Sequence, residues 1–285
     1  MSSPGSGRLA GRTAFVTGAS RGIGAAIASR FAAEGASVAL FATSGDDRPG
    51  RLPGTVHGVA RAIVEDGGRA LALVGDVRRD EDVEAAVARA VEHFGGLDIV
   101  VNNAAAFDTT PTSRISMKRY DLLHGVNARG SFLLSRTALP HLERSTTGHI
   151  LSIAPPLTVE GRWLGAHLAY TTSKYSVSLM TLGLAAELAD RGIAANALWP
   201  RTAIATEGIR VILGEEAAAR QARRPELMAD AALAVVRRDP RSCTGNLFLD
   251  DEVLRAEGIT DLGPYLAGSG ADELQPSFFL PEETR

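Results

Sequence analysis

Short apolar runs alternate with longer alanine-rich segments of helical period along most of the chain. The short runs lack polar alternation, which is typical of strands covered on both faces. Strands that alternate with helices usually form a parallel sheet. The pattern predicts strands at Thr13–Val16, Ser37–Phe41, Ala70–Val74, Leu97–Val101, His149–Ile153, Ala194–Leu198 and Asn246–Leu249.

Between these runs, apolar positions recur at the spacing of one helix face. We interpret these positions as stripes that pack into the core and carry no chemistry. They are Ile27 and Phe31, then Val83, Val87, Val91 and Phe94, and then Leu179, Leu182 and Ala186.

The elements together predict a Rossmann-type, doubly wound α/β fold, with a seven-stranded parallel sheet flanked by helices. We expect a single domain over residues 1–285, with a flexible N-terminus at 1–8 and a C-terminal extension at 260–285. Two segments interrupt the alternation. Residues 43–54 form a long connection after the second strand, and residues 204–224 are predicted to be a helical lid over a ligand.

Composition argues against several classes of function. A formal net charge of -3 gives no electrostatic reason to bind nucleic acid. The single cysteine, Cys243, excludes an internal disulfide and a cysteine-rich metal site, so we predict a buried thiol and no metal. No run approaches the ~20 apolar residues of a membrane span. We therefore expect a cytoplasmic protein without a membrane span.

The segment Thr17–Gly24 follows the first predicted strand directly and leads into a helix. Its Gly-x-x-x-Gly-x-Gly spacing lets amide N–H groups and the helix dipole face a pyrophosphate. Ordinary turns also use glycine, but the position between a strand and a helix favours a dinucleotide site. The predicted contacts are Gly18, Ser20, Arg21, Gly22, Ile23 and Gly24.

Further motifs follow in order, and with the glycine segment they resemble those of the short-chain dehydrogenases/reductases. Asn102-Asn103-Ala104-Ala105 follows the fourth strand, Asn127 begins Asn-x-x-Gly, and Tyr170 begins Tyr-x-x-x-Lys. The resemblance implies an oxidoreductase with a nicotinamide dinucleotide cofactor, a small-molecule substrate, and a homodimeric or homotetrameric assembly. It assigns further cofactor contacts to Asp76, Val77, Asn103, Ala104, Ala105, Tyr170, Lys174, Pro200 and Thr202.

The end of the second strand bears on the choice of cofactor. NAD-binding members usually carry an acidic residue there for the adenosine ribose, whereas this chain has Thr43 and Ser44, which we predict contact the cofactor. Arg21, together with Arg48, could pair with a 2′-phosphate, although Arg21 could instead be a solvated loop cation. NADP(H) is therefore favoured over NAD.

The predicted catalytic residues are Tyr170, Lys174 and Asn127. Tyr170 and Lys174 are four residues apart on a predicted helix and share one face. We expect the ammonium group to favour the phenolate, so that Tyr170 exchanges a proton with a substrate oxygen. The resemblance also implies that Lys174 holds the nicotinamide ribose and that Asn127 anchors a water in a proton relay.

The serine that the family places after the fifth strand is absent. Counting thirteen residues back from Tyr170 gives Leu157, whereas alignment on the strand gives Pro155, and neither side chain can donate a hydrogen bond. Ser152 lies within the strand and is not a substitute. His167 and Thr158 are candidate donors, each more often structural. Later runs, including Gln275–Leu280, resemble one subfamily of these enzymes, which implies that the serine-less site is a subfamily trait.

Two features bear on the substrate. Apolar lid residues suggest a hydrophobic substrate, although they could equally pack against the core or another subunit; they are Ile209, Val211, Ile212 and Leu213. Arg201 replaces a glycine near the expected substrate entrance, and we hypothesise that it favours an anionic substrate; the alternative is a cation turned toward solvent.

Three functions remain open from the sequence. The favoured one is a carbonyl reductase or alcohol dehydrogenase. The second is an NADP-binding sensor or scaffold with little turnover, suggested by Pro155. The third is a non-redox lyase or epimerase on the same scaffold.

Overall fold

The computed structural model describes residues 7–46, 53–268 and 274–280, with only the backbone of 211–213 described. Its strands form one parallel sheet in the order β3-β2-β1-β4-β5-β6-β7, which confirms the predicted doubly wound fold. The predicted strand ends agree with the observed ones within two residues. The strands are β1 Thr13–Thr17, β2 Ser37–Ala42, β3 Arg69–Val74, β4 Ile99–Asn102, β5 His149–Ile153, β6 Ala194–Trp199 and β7 Leu247–Leu249.

Helices cover both faces of the sheet. They are α1 Gly22–Ala33, α2 Val56–Glu65, α3 Asp80–Phe94, α4 Met117–Leu123, α5 Gly130–Leu142, α6 Gly161–Ala166, α7 Leu168–Glu187, α8 Glu207–Leu213, α9 Glu215–Gln221, α10 Glu226–Val236 and α11 Asp250–Ala256. A π-helical turn, His124–Arg129, joins α4 to α5.

Alternate residues of each strand pack into different cores. Val16 and Leu40 belong to the cluster under α1 and α10, whereas Phe15 and Ala39 belong to the cluster under α3 and α5. Because successive strand side chains point to opposite faces, a strand covered on both faces must be apolar throughout. This explains the continuous apolar runs.

Two sequence predictions about burial are wrong. The edge strand β3 is only partly covered, because it has a neighbour on one side only. Leu179 of α7 is 59 % exposed, and Ala186 is also exposed. The inward face of α7 instead carries Tyr170, Lys174 and Thr181, so the apolar Leu179 lies on the outer face.

The predicted lid, residues 204–224, contains two short helices, α8 and α9, separated by Gly214. The side chains of Val211, Ile212 and Leu213 lie outside the described residues. Of the C-terminal extension, residues 260–268 and 274–280 are described, and of the N-terminal segment only residues 7 and 8. Cys243 is buried, as predicted. Among the described helices, none is both long and apolar enough to cross a membrane.

Candidate active site

A groove of about 500 Å³ opens at the carboxyl ends of the strands, where the chain order reverses between β1 and β4. This is the position at which open α/β sheets bind their ligands. The predicted cofactor residues on its wall are Gly18, Ser20, Arg21, Gly22, Ile23, Thr43, Ser44, Asp76, Val77, Asn103, Ala104 and Ala105.

Other residues of the groove could not be predicted from the sequence, because no motif marks them. They lie beside predicted positions, on α4 or at the start of α8. They are Ala42, Gly75, Arg78, Leu122, Val126, Thr206, Glu207 and Gly208.

The glycine segment packs too closely for side chains. Gly18 has a φ of +64°, and a Cβ there would lie 2.8 Å from Nδ2 of Asn103. A Cβ on Gly24 would overlap the same amide and the carbonyl of Gly18. Asn103 donates from Nδ2 to the carbonyl of Thr17 at 2.8 Å, so its side chain holds the segment in place.

The N-terminus of α1 fits a phosphate ligand. The segment places this end of the 12-residue helix in the groove, and no side chain in the described part of the chain caps it. Amide N–H groups of the first helical turn need an acceptor, and an anion supplies one. The donor set therefore suits the pyrophosphate of a dinucleotide. Gly24 is buried behind this turn and supports it through packing.

Arg21 lies beside the end of β2, as the cofactor argument requires. Its guanidinium donates to Oγ of Ser44 at 3.1 Å and to the carbonyls of Pro53 and Gly54, both at 2.8 Å. Arg48 lies outside the described residues.

Asp76 follows β3 at the far side of the groove and pairs with Arg78. The guanidinium Nε of Arg78 lies 3.0 Å from both carboxylate oxygens, and Nη2 lies 2.5 Å from Oδ2. Hydrogen bonding from Arg78 lowers the pKa of the Asp76 carboxyl, so Asp76 is ionised near neutral pH.

Tyr170 and Lys174 are both buried on the inward face of α7, with 6 % and 4 % of their surface exposed. The Nζ of Lys174 donates to the carbonyl of Ile153 at 2.5 Å and lies 5.1 Å from the ring centroid of Trp199. The lysine is thus fixed against the carboxyl ends of β5 and β6.

Asn127 lies in the π-helical turn and joins β4 to α7. Its Oδ1 accepts from the backbone N–H of Ala106 at 2.7 Å, and Nδ2 donates to the Ala106 carbonyl at 3.0 Å and to Oγ of Ser173 at 2.9 Å. The structure thus connects all three predicted catalytic residues to α7. The side-chain amide of Asn127 makes this connection through its hydrogen bonds to Ala106, after β4, and to Ser173, on α7.

Burial dominates the pKa values of both side chains. Desolvation raises the pKa of Tyr170 well above its ordinary value. Desolvation also lowers the pKa of Lys174 from 10.5 to about 7. Near neutral pH Tyr170 is therefore a phenol. The effect of Lys174 on the phenolate stays a prediction.

The two candidate donors in place of the serine, Thr158 and His167, have different surroundings, and Ser152 is held within the sheet. Thr158 donates from Oγ1 to Glu160 at 3.1 Å, and Ser152 lies 3.4 Å from Nδ2 of Asn102 within the sheet. Nε2 of His167 is buried and has no hydrogen-bond partner among the described residues. Burial lowers the pKa of His167, which favours the neutral ring.

Pro200 and Thr202, predicted to contact the cofactor, follow β6 but are not among the residues that line the groove. Pro200 is buried, and Oγ1 of Thr202 is buried without a hydrogen-bond partner in the described part of the chain. A buried hydroxyl without a partner is costly, and a polar ligand group such as an amide would satisfy it.

Arg201, between these two residues, is held by acidic side chains. Its guanidinium contacts Asp251 at 2.7 Å and Glu252 at 2.6 Å. These carboxylates compensate the charge that was expected to attract an anionic substrate. The structure therefore does not support the hypothesis that Arg201 favours an anionic substrate.

Aromatic side chains surround Tyr170, and the sequence analysis did not foresee this. Phe107 packs edge-on against the Tyr170 ring with centroids 4.9 Å apart, and Phe279 lies 5.8 Å away. In the sequence, the Phe278-Phe279 pair carries only a resemblance to one subfamily. Nothing in its local pattern places it beside a helix more than 100 positions earlier.

Comparisons with known proteins agree with this geometry. The short chain dehydrogenase family model matches residues 12–217. "Hydroxysteroid dehydrogenase-like protein 2" of Xenopus tropicalis is 45 % identical over 279 residues, which cover 98 % of this chain and 66 % of the relative. The chain thus spans about two thirds of the length of that relative.

Solved structures show the same relationship. A short chain dehydrogenase from Mycobacterium thermoresistibile is 45 % identical, with a TM-score of 0.89 over 96 % of each chain. A short chain dehydrogenase from Burkholderia cenocepacia, solved in complex with NADP, is 32 % identical, with a TM-score of 0.72 over 85 % of this chain and 97 % of that one. The fold, the order of the motifs and these similarities establish that the chain belongs to the short-chain dehydrogenase/reductase family of oxidoreductases.

Proposed function

We propose that the protein is an NADP(H)-dependent oxidoreductase that interconverts a carbonyl group and a secondary alcohol on a hydrophobic substrate. The observation that carries the proposal is the placement of Tyr170 and Lys174 together on the buried face of α7, where Lys174 reaches the carboxyl end of β5. The dinucleotide groove and the pair Tyr170 and Lys174 lie at the same edge of the sheet, as hydride transfer requires.

The chain's own residues supply binding and proton transfer. The glycine segment and the N-terminus of α1 would hold the pyrophosphate, and Thr202 would meet a polar group at the nicotinamide end. The bound cofactor supplies or accepts the hydride. Tyr170 is protonated near neutral pH, because burial raises its pKa, so it donates its proton to the carbonyl oxygen in the reductive direction. Lys174 and Asn127 would position this phenol.

NADP(H) is proposed over NAD(H) because a cation is held where the 2′-phosphate would lie. Arg21 is hydrogen-bonded to Ser44, and the strand end, Ala42-Thr43-Ser44, carries no carboxylate. The related dehydrogenase from Burkholderia cenocepacia was solved with NADP.

A homodimer or homotetramer is part of the proposal. Phe132 of α5 is 53 % exposed and lies in a surface pocket with Met180 and Gly183 of α7, and Leu179, which precedes Met180 in the chain, is 59 % exposed. Exposed apolar patches of this kind favour association. Light scattering coupled to size exclusion measures the state directly, and a monomeric mass would contradict the assignment. The cytoplasmic location stays a prediction.

The second candidate is an NADP-binding protein with little or no turnover. Pro155 favours it, because this residue offers no side-chain donor where the family carries a serine. The two candidates agree on cofactor binding and differ in whether the bound cofactor changes its redox state. A non-redox reaction on the same scaffold would also leave the cofactor unchanged, but it would convert the substrate.

The test combines cofactor titration with turnover. NADPH and NADH are titrated by fluorescence, and a panel of ketones and aldehydes is then screened for loss of the reduced-cofactor absorbance. Tyr170→Phe should retain NADPH affinity and lose turnover by ~100-fold or more. Tyr120→Phe, on α4, is the matched control. Tight binding without turnover across the panel would favour the sensor, and failure to bind either cofactor would refute the proposal.

A further inference from the structure

The segment Gln275–Leu280 lies across the catalytic end of the sheet; we call it the aromatic wall. Its backbone pairs with the chain that follows β6. The carbonyl of Gln275 accepts from the N–H of Ala203 at 2.8 Å, and the N–H of Ser277 donates to the carbonyl of Arg201 at 2.9 Å. The wall is therefore joined to the loop that carries Pro200 and Thr202.

Two indoles hold the other end of the wall. Nε1 of Trp199 donates to the carbonyl of Phe278 at 2.8 Å, and Nε1 of Trp163 donates to the carbonyl of Leu280 at 3.0 Å. These are the only two tryptophans in the sequence. Arg162 also donates to the Leu280 carbonyl, at 2.9 Å.

Phe279 is the anchor of the wall. Its side chain is 0 % exposed, and its ring lies 5.4–5.9 Å from the rings of Trp163, Tyr170, Tyr175 and Trp199. Its φ of +66° is unfavourable for a bulky residue. Such a conformation persists only where the surroundings determine it. The wall is therefore a fixed part of the site.

Phe278 contacts Phe279 and Trp163 and extends the cluster to Phe107, which packs against Tyr170. Its ring stacks on Phe107 with centroids 6.0 Å apart and planes 25° apart, and it meets His167 edge-on at 5.1 Å. Phe107 in turn meets Tyr170 at 4.9 Å and remains 37 % exposed. Apolar rings thus border the approach to the catalytic phenol.

From these contacts we propose that Phe278, with Phe107, determines substrate specificity, and that the site takes neutral, flat, apolar carbonyl compounds that stack on these rings. The inference deepens the proposed function and rests on it. Aromatic faces prefer offset stacking on another flat π-system. The arginines near the wall have carboxylate partners within the chain, so their charges are compensated and a neutral substrate is favoured. Arg162 pairs with Glu160, and Arg201 pairs with Asp251 and Glu252.

The test measures binding without turnover. The full-length protein is loaded with NADPH, and two alcohols are titrated by calorimetry: methyl phenyl carbinol, which has a flat ring, and methyl cyclohexyl carbinol, which has a puckered ring of similar size. The reduced cofactor cannot oxidise an alcohol, so only affinity is measured. The wild type should bind the flat alcohol about tenfold more tightly, and Phe278→Leu should reduce this preference to about twofold or less.

Phe107→Leu should act in the same direction, whereas Phe248→Leu, on β7 and packed against Arg238, should not change the preference. NADPH affinity should be the same in all variants, since neither Phe107 nor Phe278 lines the dinucleotide groove. Equal affinity of the wild type for the two alcohols, binding of neither, or an unchanged preference in Phe278→Leu would overturn the inference. NADPH binding and Tyr170-dependent turnover test the proposed function separately.

Tryptophan emission tests whether the wall stays in place. Both indoles contact it, so the emission of the whole protein reports on this segment. Oxidised NADP with methyl phenyl ketone, a pair that cannot react, should leave the emission maximum unchanged. A red shift, as the indoles become exposed to water, would show that the segment is displaced and would contradict a fixed wall.

Discussion

The hydroxyl of Ser178 donates a hydrogen bond to the backbone carbonyl of Pro155, with 2.7 Å between the oxygens. Pro155 is buried just after β5, at the position to which the sequence resemblance assigns the family's catalytic serine. The backbone at this position is thus bound to α7, while the proline side chain carries no hydrogen-bond donor.

Replacing this proline should restore the missing donor. We expect Pro155→Ser to raise kcat for ketone reduction by about tenfold or more, because one oxyanion donor contributes on the order of 10²–10³ in rate. Pro155→Ala is the control for backbone effects. Steady-state kinetics with NADPH measure both variants, and equal rates in Ser and Ala variants would show that another group already polarises the carbonyl.

The cation at the end of β2 should discriminate between the two cofactors. Arg21→Gln should weaken NADPH binding by about 10–100-fold, because a hydrogen bond to a charged group contributes about 1.5–3 kcal/mol. NADH affinity should change by less than about threefold, since NADH carries no 2′-phosphate. Fluorescence titration of both cofactors measures the ratio. An equal loss for both would mean that Arg21 only supports the loop through Pro53 and Gly54.

Lys174 should make the protein more stable as the pH rises. Its pKa falls from 10.5 to about 7 on folding, so between these values the unfolded chain binds more protons than the native one. Stability therefore rises with pH through this window and is constant below it. Lys174→Met should remove the rise, which amounts to a few kcal/mol. Urea unfolding across the window measures it, and parallel profiles for the two proteins would contradict the assignment.

Asp250 should make the protein less stable as the pH rises. Burial raises its pKa from 3.8 to about 7, although the N–H groups of Arg201 and Asp251 donate to its Oδ1. The native state then binds more protons than the unfolded chain between these values, so the stabilisation is complete below the lower value and is lost as the pH rises toward 7.

Asp250→Asn keeps an acceptor for both N–H groups and removes the titration. Its stability profile should be flatter than that of the wild type between the two pKa values, and above pH 7 the variant should be the more stable protein. Urea unfolding at several pH values checks this. A variant destabilised equally at every pH would show that the carboxylate is needed in its charged form.

The sequence by itself determined the fold and the location of the chemistry. Continuous apolar runs predict strands covered on both faces, as Val16 and Phe15 show, and the order of strands and helices then restricts the topology to a doubly wound sheet. The glycine spacing after β1 and the Tyr170–Lys174 spacing are local, because three to four residues form one helical turn. Such features can be predicted without knowledge of distant contacts.

Only the tertiary structure decided the environment of these residues. Packing buries Tyr170 and Lys174, and the resulting desolvation shifts both pKa values. It also neutralises Arg201 with acids about 50 positions later and brings Phe279 against Tyr170. Desolvation and long-range pairing depend on which surfaces meet in the folded chain, and the local pattern around a residue carries no information about a partner a hundred positions away.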